Sequence, residues 1–142
     1  MRINEVLKGK PKGVVTIPPD ATVRDLVALL AEHNVGALIV STDGSSVEGI
    51  VSERDVVRRL HGDEGVLEGP VSAIMTAQVR SCAPDATVDS LMAMMTEHRI
   101  RHVPVVTDGR LTGIISIGDV VKSRMAELEF ERDQLDSYVH QT

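Results

Sequence analysis

Pro19-Asp20-Ala21-Thr22-Val23 returns sixty-five positions later as Pro84-Asp85-Ala86-Thr87-Val88. The same offset carries Leu26 onto Leu91, Glu32-His33 onto Glu97-His98, Val40 onto Val105 and Thr42-Asp43-Gly44 onto Thr107-Asp108-Gly109. One residue is then lost, and at an offset of sixty-four Gly49-Ile50, Ser52 and Asp55-Val56-Val57 return as Gly113-Ile114, Ser116 and Asp119-Val120-Val121. A repeat this long implies two similar supersecondary units facing each other across a pseudo-twofold axis. Units of about sixty residues bury too little surface to be stable singly. The halves must complete one core between them, and function is expected where they meet.

Each copy reads as strand, helix, strand, strand, helix. In the first, residues 14–17 form a β-rich run broken by Pro18-Pro19-Asp20. Thr22 is an N-cap with Asp25 three residues on, and Val23, Leu26, Val27 and Leu30 at helical spacing predict a helix over 23–33. Apolar runs at 37–40 and 48–51 flank a turn-rich stretch and predict a hairpin, after which Val56, Val57 and Leu60 start a second helix. The second copy repeats this: Thr87 caps Val88, Leu91, Met92 and Met95, strands at 103–106 and 111–115 flank Asp108-Gly109, and a helix follows Ser116. The division is residues 1–61 for copy one, 62–70 for the connector, 71–124 for copy two and 125–142 for an acidic amphipathic helical tail. Short apolar approaches, 3–7 and 71–75, precede both copies. The first also carries Lys8, Lys10 and Lys12, readable as a solvated loop or as a reach toward phosphate.

The last helix is expected to run to about Val139, with Val121, Met125, Leu128, Leu135 and Val139 on one stripe and Glu127, Glu129, Glu131, Asp133 and Asp136 outside it. The stripe can pack on its own domain or on a second chain.

A net charge of -6 disfavours a general nucleic-acid surface, and with only Phe130 and Tyr138 as aromatics the chain lacks base-stacking platforms. The single cysteine, Cys82, permits no internal disulfide and reads as a buried thiol in a strand. With no signal-like or bilayer-length apolar run, a cytoplasmic protein without membrane association is expected.

Two segments carry candidate chemistry. Gly49-Ile50-Val51-Ser52-Glu53-Arg54-Asp55 and Gly113-Ile114-Ile115-Ser116-Ile117-Gly118-Asp119 share glycine, two β-branched residues, serine and, three further on, aspartate. Each strand delivers its serine to a helix N-terminus, where free N–H groups favour an anion and serine and aspartate can hold a phosphate edge and a ribose diol. The same spacing is also a capping box. In the other segment, Arg101 and His102 of Ile100-Arg101-His102-Val103-Pro104 suit phosphate, whereas their counterparts Gly36 and Ala37 leave room for a flat base against the backbone. A surface pairing of Arg101 with a carboxylate is the plainer alternative.

His98 and His102 lack a third ligand at metal spacing, so no metal site is expected. Ser116, His102 and Asp119 have the residue types of a hydrolytic triad without its strained nucleophile turn, and no phosphate-binding glycine loop is present. No catalytic residue and no catalytic cofactor are assigned.

The tandem copies, the two Gly-x-x-Ser-x-x-Asp segments and Ile100-Arg101-His102-Val103-Pro104-Val105-Val106 together resemble a stand-alone pair of cystathionine β-synthase (CBS) domains, from about Ile3 to Arg124. The resemblance implies an α/β fold of two β-α-β-β-α units packed through their sheets, with two clefts for adenosyl compounds. It places ribose at Asp55 with Ser52 and at Asp119 with Ser116. The base would lie against Thr16, Ile17, Val35, Gly36 and Ala37 in one cleft, and against Ser81, Cys82 and Ile100 in the other. It implies unequal clefts, the tighter using Ser116, Asp119, Arg101 and His102, with Arg54 serving the other. The function implied is a regulatory module that binds AMP, ADP, ATP or NAD(H), forms a homodimer and signals to an unidentified enzyme or transporter. The alternative is an interaction protein acting through its dimer surface and tail helix.

Overall fold

The computed structural model describes residues 1–11 and 13–140. Its elements are α1 (Ile3–Lys8), β1 (Thr16–Ile17), α2 (Val23–His33), β2 (Ala37–Val40), β3 (Gly49–Ser52), α3 (Glu53–Leu60), two short 3-10 turns (Glu64–Glu68 and Val71–Ala73), α4 (Val88–His98), β4 (His102–Thr107), β5 (Arg110–Ser116) and α5 (Ile117–Val139). The mixed α/β class and the duplicated order follow the sequence reading.

Helix α2 buries Val23, Leu26 and Leu30 on one face. It starts because Thr22 Oγ1 accepts from the Asp25 N–H (3.1 Å) while Asp25 accepts from the Thr22 N–H (3.3 Å). It stops at Asn34, which turns left-handed. Helix α4 repeats the design, with Val88, Leu91 and Met95 buried, a cap from Thr87 to the Ser90 N–H (3.1 Å) and a left-handed stop at Arg99.

In the first sheet β1 pairs parallel with β2, and β2 pairs antiparallel with β3, Ala37 lying opposite Ser52. In the second, β4 and β5 pair antiparallel with His102 opposite Ser116, around a tight turn at Asp108-Gly109 where both residues have positive φ. The counterpart of β1 is reduced to a bridge between Cys82 and Val105, held by Cys82 N–H to Pro104 O (3.0 Å) and Val106 N–H to Cys82 O (2.9 Å).

The cores are completed by exchange. The first contains Ile17, Val23, Leu26, Leu30, Leu38, Val40, Val51 and Val56, and takes Val66, Val71 and Ile74 from the connector and the approach to copy two. The second contains Val88, Leu91, Met95, Val103, Val105, Ile115 and Val120, and takes Ile3 from the approach to copy one. Val71 N–H bonds Ala21 O (2.8 Å) and Ile3 N–H bonds Ala86 O (2.9 Å); Ser72 N–H bonds Pro19 O (3.0 Å) and Asn4 N–H bonds Pro84 O (2.8 Å). Glycine permits the close approach of each lead-in. A Cβ on Gly49 would lie 2.6 Å from Met75 Sδ and 3.0 Å from Thr76 O, and one on Gly113 would lie 2.6 Å from Leu7 Cδ2.

Helix α5 reaches Val139 as the stripe predicts, but only Val120 and Ser123 on it are buried. Met125, Leu128 and Leu135 are exposed. The tail is tied back where Glu127 pairs with the terminal amine of Met1 (3.4 Å) and with Arg124 (2.9 Å).

The exchange carries a stability consequence. Ile3→Ala removes a fully buried side chain from the second core and is expected to cost about 2–5 kcal/mol. Urea unfolding measures it, and an unchanged midpoint would show that α1 does not complete that core.

Candidate functional site

Each β-α corner is locked to the turn that precedes the neighbouring strand. Glu53 N–H, the first of α3, bonds Gly36 O (3.0 Å), and Ile117 N–H, the first of α5, bonds Arg101 O (2.8 Å). Ser52 and Asp55 therefore stand beside Gly36, and Ser116 and Asp119 beside Arg101. Both serine–aspartate pairs form capping boxes. Asp55 Oδ2 accepts from the Ser52 N–H (2.8 Å) and hydroxyl (3.1 Å). Asp119 Oδ2 accepts from the Ser116 N–H (2.9 Å). In each box only Oδ2 of the aspartate is engaged, so capping leaves Oδ1 available.

The corners of the two copies face each other. The His102 ring comes within 3.6 Å of where a Cβ on Gly36 would stand. A cavity of about 750 Å³ opens here. Its floor is Gly36, Ala37, Ile50 and Thr76, one wall is the start of α3 from Ser52 to Arg58, and the opposite wall runs from Arg99 to His102. Four arginines, Arg54, Arg58, Arg99 and Arg101, line it against two acidic residues, Glu53 and Asp55. None of the four is in an ion pair among the described residues. A chain of net charge -6 thus concentrates positive charge at this opening.

The cavity brings together Gly36, Ala37, Ser52, Arg54, Asp55, Ile100, Arg101 and His102 of the residues expected from sequence. It groups them differently. Arg101 and His102 were assigned with Ser116 and Asp119, yet their side chains line the cavity of Ser52 and Asp55. Their backbone belongs to the α5 corner, and the His102 ring and the Glu53 carboxylate are the groups that come nearest to Gly36. Thr16, Val35, Ser81 and Cys82 do not line the cavity, and Ile17 is fully buried in the first core. Ile50, Thr76, Glu53, Val57, Arg58 and Arg99 line it without having been singled out. Arg58, one helical turn beyond Arg54, was discernible from spacing. Thr76 was not, because it arrives only through the exchanged lead-in, where it pairs with Ile50 (N–H to O, 3.0 and 2.9 Å).

The other corner is occupied from within. Lys10 Nζ donates to Asp119 Oδ2 (2.6 Å) and to Ile114 O (2.7 Å). Burial alone would raise the Asp119 carboxyl, but the Lys10 ammonium and the Ser116 N–H outweigh it and hold the group below the usual carboxylate range. A pocket of about 180 Å³ lies beside Lys10, lined by Leu7, Pro11, Gly113 and Ile114 among others. Of the other lead-in lysines, Lys8 is exposed and Lys12 lies outside the described residues.

Cys82 is half-buried and burial pushes its thiol up to about 11, so it is protonated at neutral pH. Ser116 Oγ accepts from the Asp119 N–H (3.2 Å), the geometry of a cap. Among the described residues no three His, Cys, Asp or Glu side chains are grouped closely enough to hold a metal, and no helix is long and apolar enough to cross a membrane.

Comparison with known proteins accords with this architecture. The CBS domain profile matches residues 11–62 and again 71–126. The chain is 34% identical over 151 residues to the CBS domain-containing protein CBSX3, mitochondrial, of Arabidopsis thaliana, covering 96% of this chain and 71% of that protein. Among solved structures it resembles a CBS-domain-containing protein of Agrobacterium tumefaciens at 42% identity and a TM-score of 0.84, covering 87% of this chain and 99% of the other. It also shares the fold of the CBS domain pair of protein MJ0100, solved with 5′-methylthioadenosine and S-adenosyl-L-methionine, at 22% identity and a TM-score of 0.79, covering 89% and 98%.

His102 supplies a pH test of the site. Burial lowers its pKa, the Lys10 ammonium and the Arg101 guanidinium add to that, and the Asp119 and Glu53 carboxylates oppose it. A depressed histidine is neutral in the native state, so its contribution to stability is present above the ordinary value of about 6.5 and is lost as pH falls through the folded-state midpoint. NMR titration is expected to place the His102 ring midpoint below that of a free histidine, and His102→Gln is expected to flatten the loss of stability on acidification. A midpoint at or above about 6.5 would contradict the burial argument.

Proposed function

The chain belongs to the CBS-domain family, and from that premise we propose that it is a regulatory module that binds a phosphate-bearing adenosine nucleotide in the cavity between its two copies. One observation carries this reading: a carboxylate at Asp55, small residues at Gly36 and Ala37, and four arginines that make no ion pair among the described residues line one space of about 750 Å³. That volume suits a ligand of nucleotide size. Asp55 Oδ1 accepts from the ribose hydroxyls. The base lies flat where Gly36 and Ala37 offer backbone and Ile50 an apolar face. Arg54, Arg58, Arg99 and Arg101 then meet the phosphates with bidentate, charge-assisted hydrogen bonds.

The MJ0100 pair holds a neutral thioether nucleoside and a sulfonium cation. The guanidiniums here favour AMP, ADP, ATP or NAD(H) instead, because a cationic rim repels a sulfonium and attracts phosphate. Such a ligand acts without chemistry, biasing whichever arrangement of the two copies it binds better. Self-association as a homodimer is part of the reading, since Val57, Ile117, Val121, Met125 and Leu128 are exposed on α3 and α5. A regulated enzyme or transporter is the partner class that such a module serves.

Calorimetry with ATP and adenosine tests the assignment. Asp55→Ala is expected to weaken ATP about ten- to hundredfold, the loss of a charged hydrogen-bond acceptor. Arg101→Ala is expected to weaken ATP while leaving adenosine nearly unchanged. If no adenine nucleotide raises the melting temperature, the nucleotide reading fails and a role confined to the dimer surface and tail helix takes its place.

A further inference from the structure

The two copies present the same pair of acceptors at their β-α corners, and the chain treats them differently. In copy one these are Ile50 O, bonded to the Thr76 N–H (2.9 Å), and Asp55, whose carboxylate is bonded among the described residues only to Ser52. In copy two they are Ile114 O and Asp119, and a single ammonium from outside the corner, Lys10 Nζ, takes both (2.7 and 2.6 Å). Lys10 and Asp119 are each about three-quarters buried, with side-chain exposures of 28% and 22%, so the contact is shielded rather than a loose surface pair.

The difference has a cause in the lead-ins. Val71 stands sixty-eight positions after its counterpart Ile3, whereas Ala86 stands sixty-five after Ala21. The path from lead-in to first strand is therefore three residues longer in copy one. Copy two reaches its strand directly from Thr76. Copy one has chain to spare, and that extra length holds the lysine that reaches Asp119.

We propose that Lys10 is an internal latch that closes the second corner, so that each chain binds one nucleotide and keeps a dormant counterpart of that site occupied by its own ammonium. The ammonium sits on Oδ2, beside the Oδ1 that would accept a ribose diol, and its charge-assisted bond neutralises the carboxylate that a neutral diol would have to engage. The inference rests on the nucleotide reading of the open cavity.

Calorimetric titration with ATP separates the two ideas. The unaltered chain is expected to bind one ATP, Asp55→Ala to lose most of that binding, and Lys10→Ala to gain a second event. The double variant Asp55→Ala with Lys10→Ala should keep only the new event, and adding Asp119→Ala should abolish it. Two events in the unaltered chain, or one event in both Lys10→Ala and the length-preserving Lys10→Gln, would overturn the latch while leaving the nucleotide reading intact. Absence of binding in the unaltered chain with binding in Lys10→Ala would overturn the reading of the open cavity and support the latch; absence in both would overturn both. A ligand-free check is NMR titration of the Asp119 carboxyl carbon, whose midpoint should rise in Lys10→Gln. No rise would mean that Lys10 does not hold Asp119, and the latch falls whatever ATP does.

Discussion

Each copy in this chain leaves an apolar face that its own residues do not cover, and the segment that covers it belongs to the approach to the other copy. Ile3 seals the core built on Val88, Leu91 and Met95, while Val71 and Ile74 seal the one built on Val23, Leu26 and Leu30. Matched backbone bonds, Val71 to Ala21 and Ile3 to Ala86, hold the exchange in register. Neither copy has a complete core without the other, and this follows from size: a sixty-residue unit exposes too much of what it needs to bury. The exchange also builds the site. By crossing over, the second lead-in brings Thr76 onto Ile50 and forms part of the cavity floor with a residue remote in sequence from α3.

The second constraint is the lock between each helix and the turn beside it. With Glu53 N–H on Gly36 O and Ile117 N–H on Arg101 O, the same backbone bond recurs at both corners. Their chemistry differs through side chains alone. Glycine and alanine at one corner leave a space, and arginine and histidine at the other reach into it. Capping and ligand binding at Ser52 and Asp55 are compatible roles rather than rivals, since the cap uses Oδ2 and the N–H groups of the helix start. A helix that needed Asp55 only as a cap would not also require Arg54 and Arg58 beside it and Arg99 and Arg101 across the opening.

Much of the fold was legible because duplication reports each element twice. The boundaries of α2 and the end of α5 follow from caps and apolar spacing, and Asp108-Gly109 marks its hairpin directly. The connector was less legible: residues 62–70 read as a polar linker, yet Val66 enters the first core. Two adjacent apolar residues, Val66 and Leu67, among Gly and Glu carry no periodicity to detect. In the site, the residue types were visible but not their grouping. His102 lies opposite Ser116 in the β4–β5 ladder, and the family resemblance grouped it and Arg101 with Ser116 and Asp119. Which way a side chain leans depends on the vacancy across the interface, and that vacancy is set by Gly36, sixty-five positions earlier. Lys10 read as part of a solvated loop or as a reach toward phosphate, because its partner, Asp119, lies 109 positions away.

Duplication makes two equal corners by default, so the inequality observed needs a local cause, and two small changes suffice. Replacing Gly36 and Ala37 by Arg101 and His102 moves positive charge from one corner to the opening of the other. Lengthening the first lead-in by three residues brings Lys10 onto the carboxylate that the second corner would otherwise offer. His102 lies where the two changes meet. It lines the open cavity, yet Lys10 and Asp119 at the closed corner act on its charge, as does Glu53 at the open one. Lys10 lowers and Asp119 raises the same imidazole, and burial is the largest influence on it, so a side chain of the open cavity carries the imprint of charges at both corners.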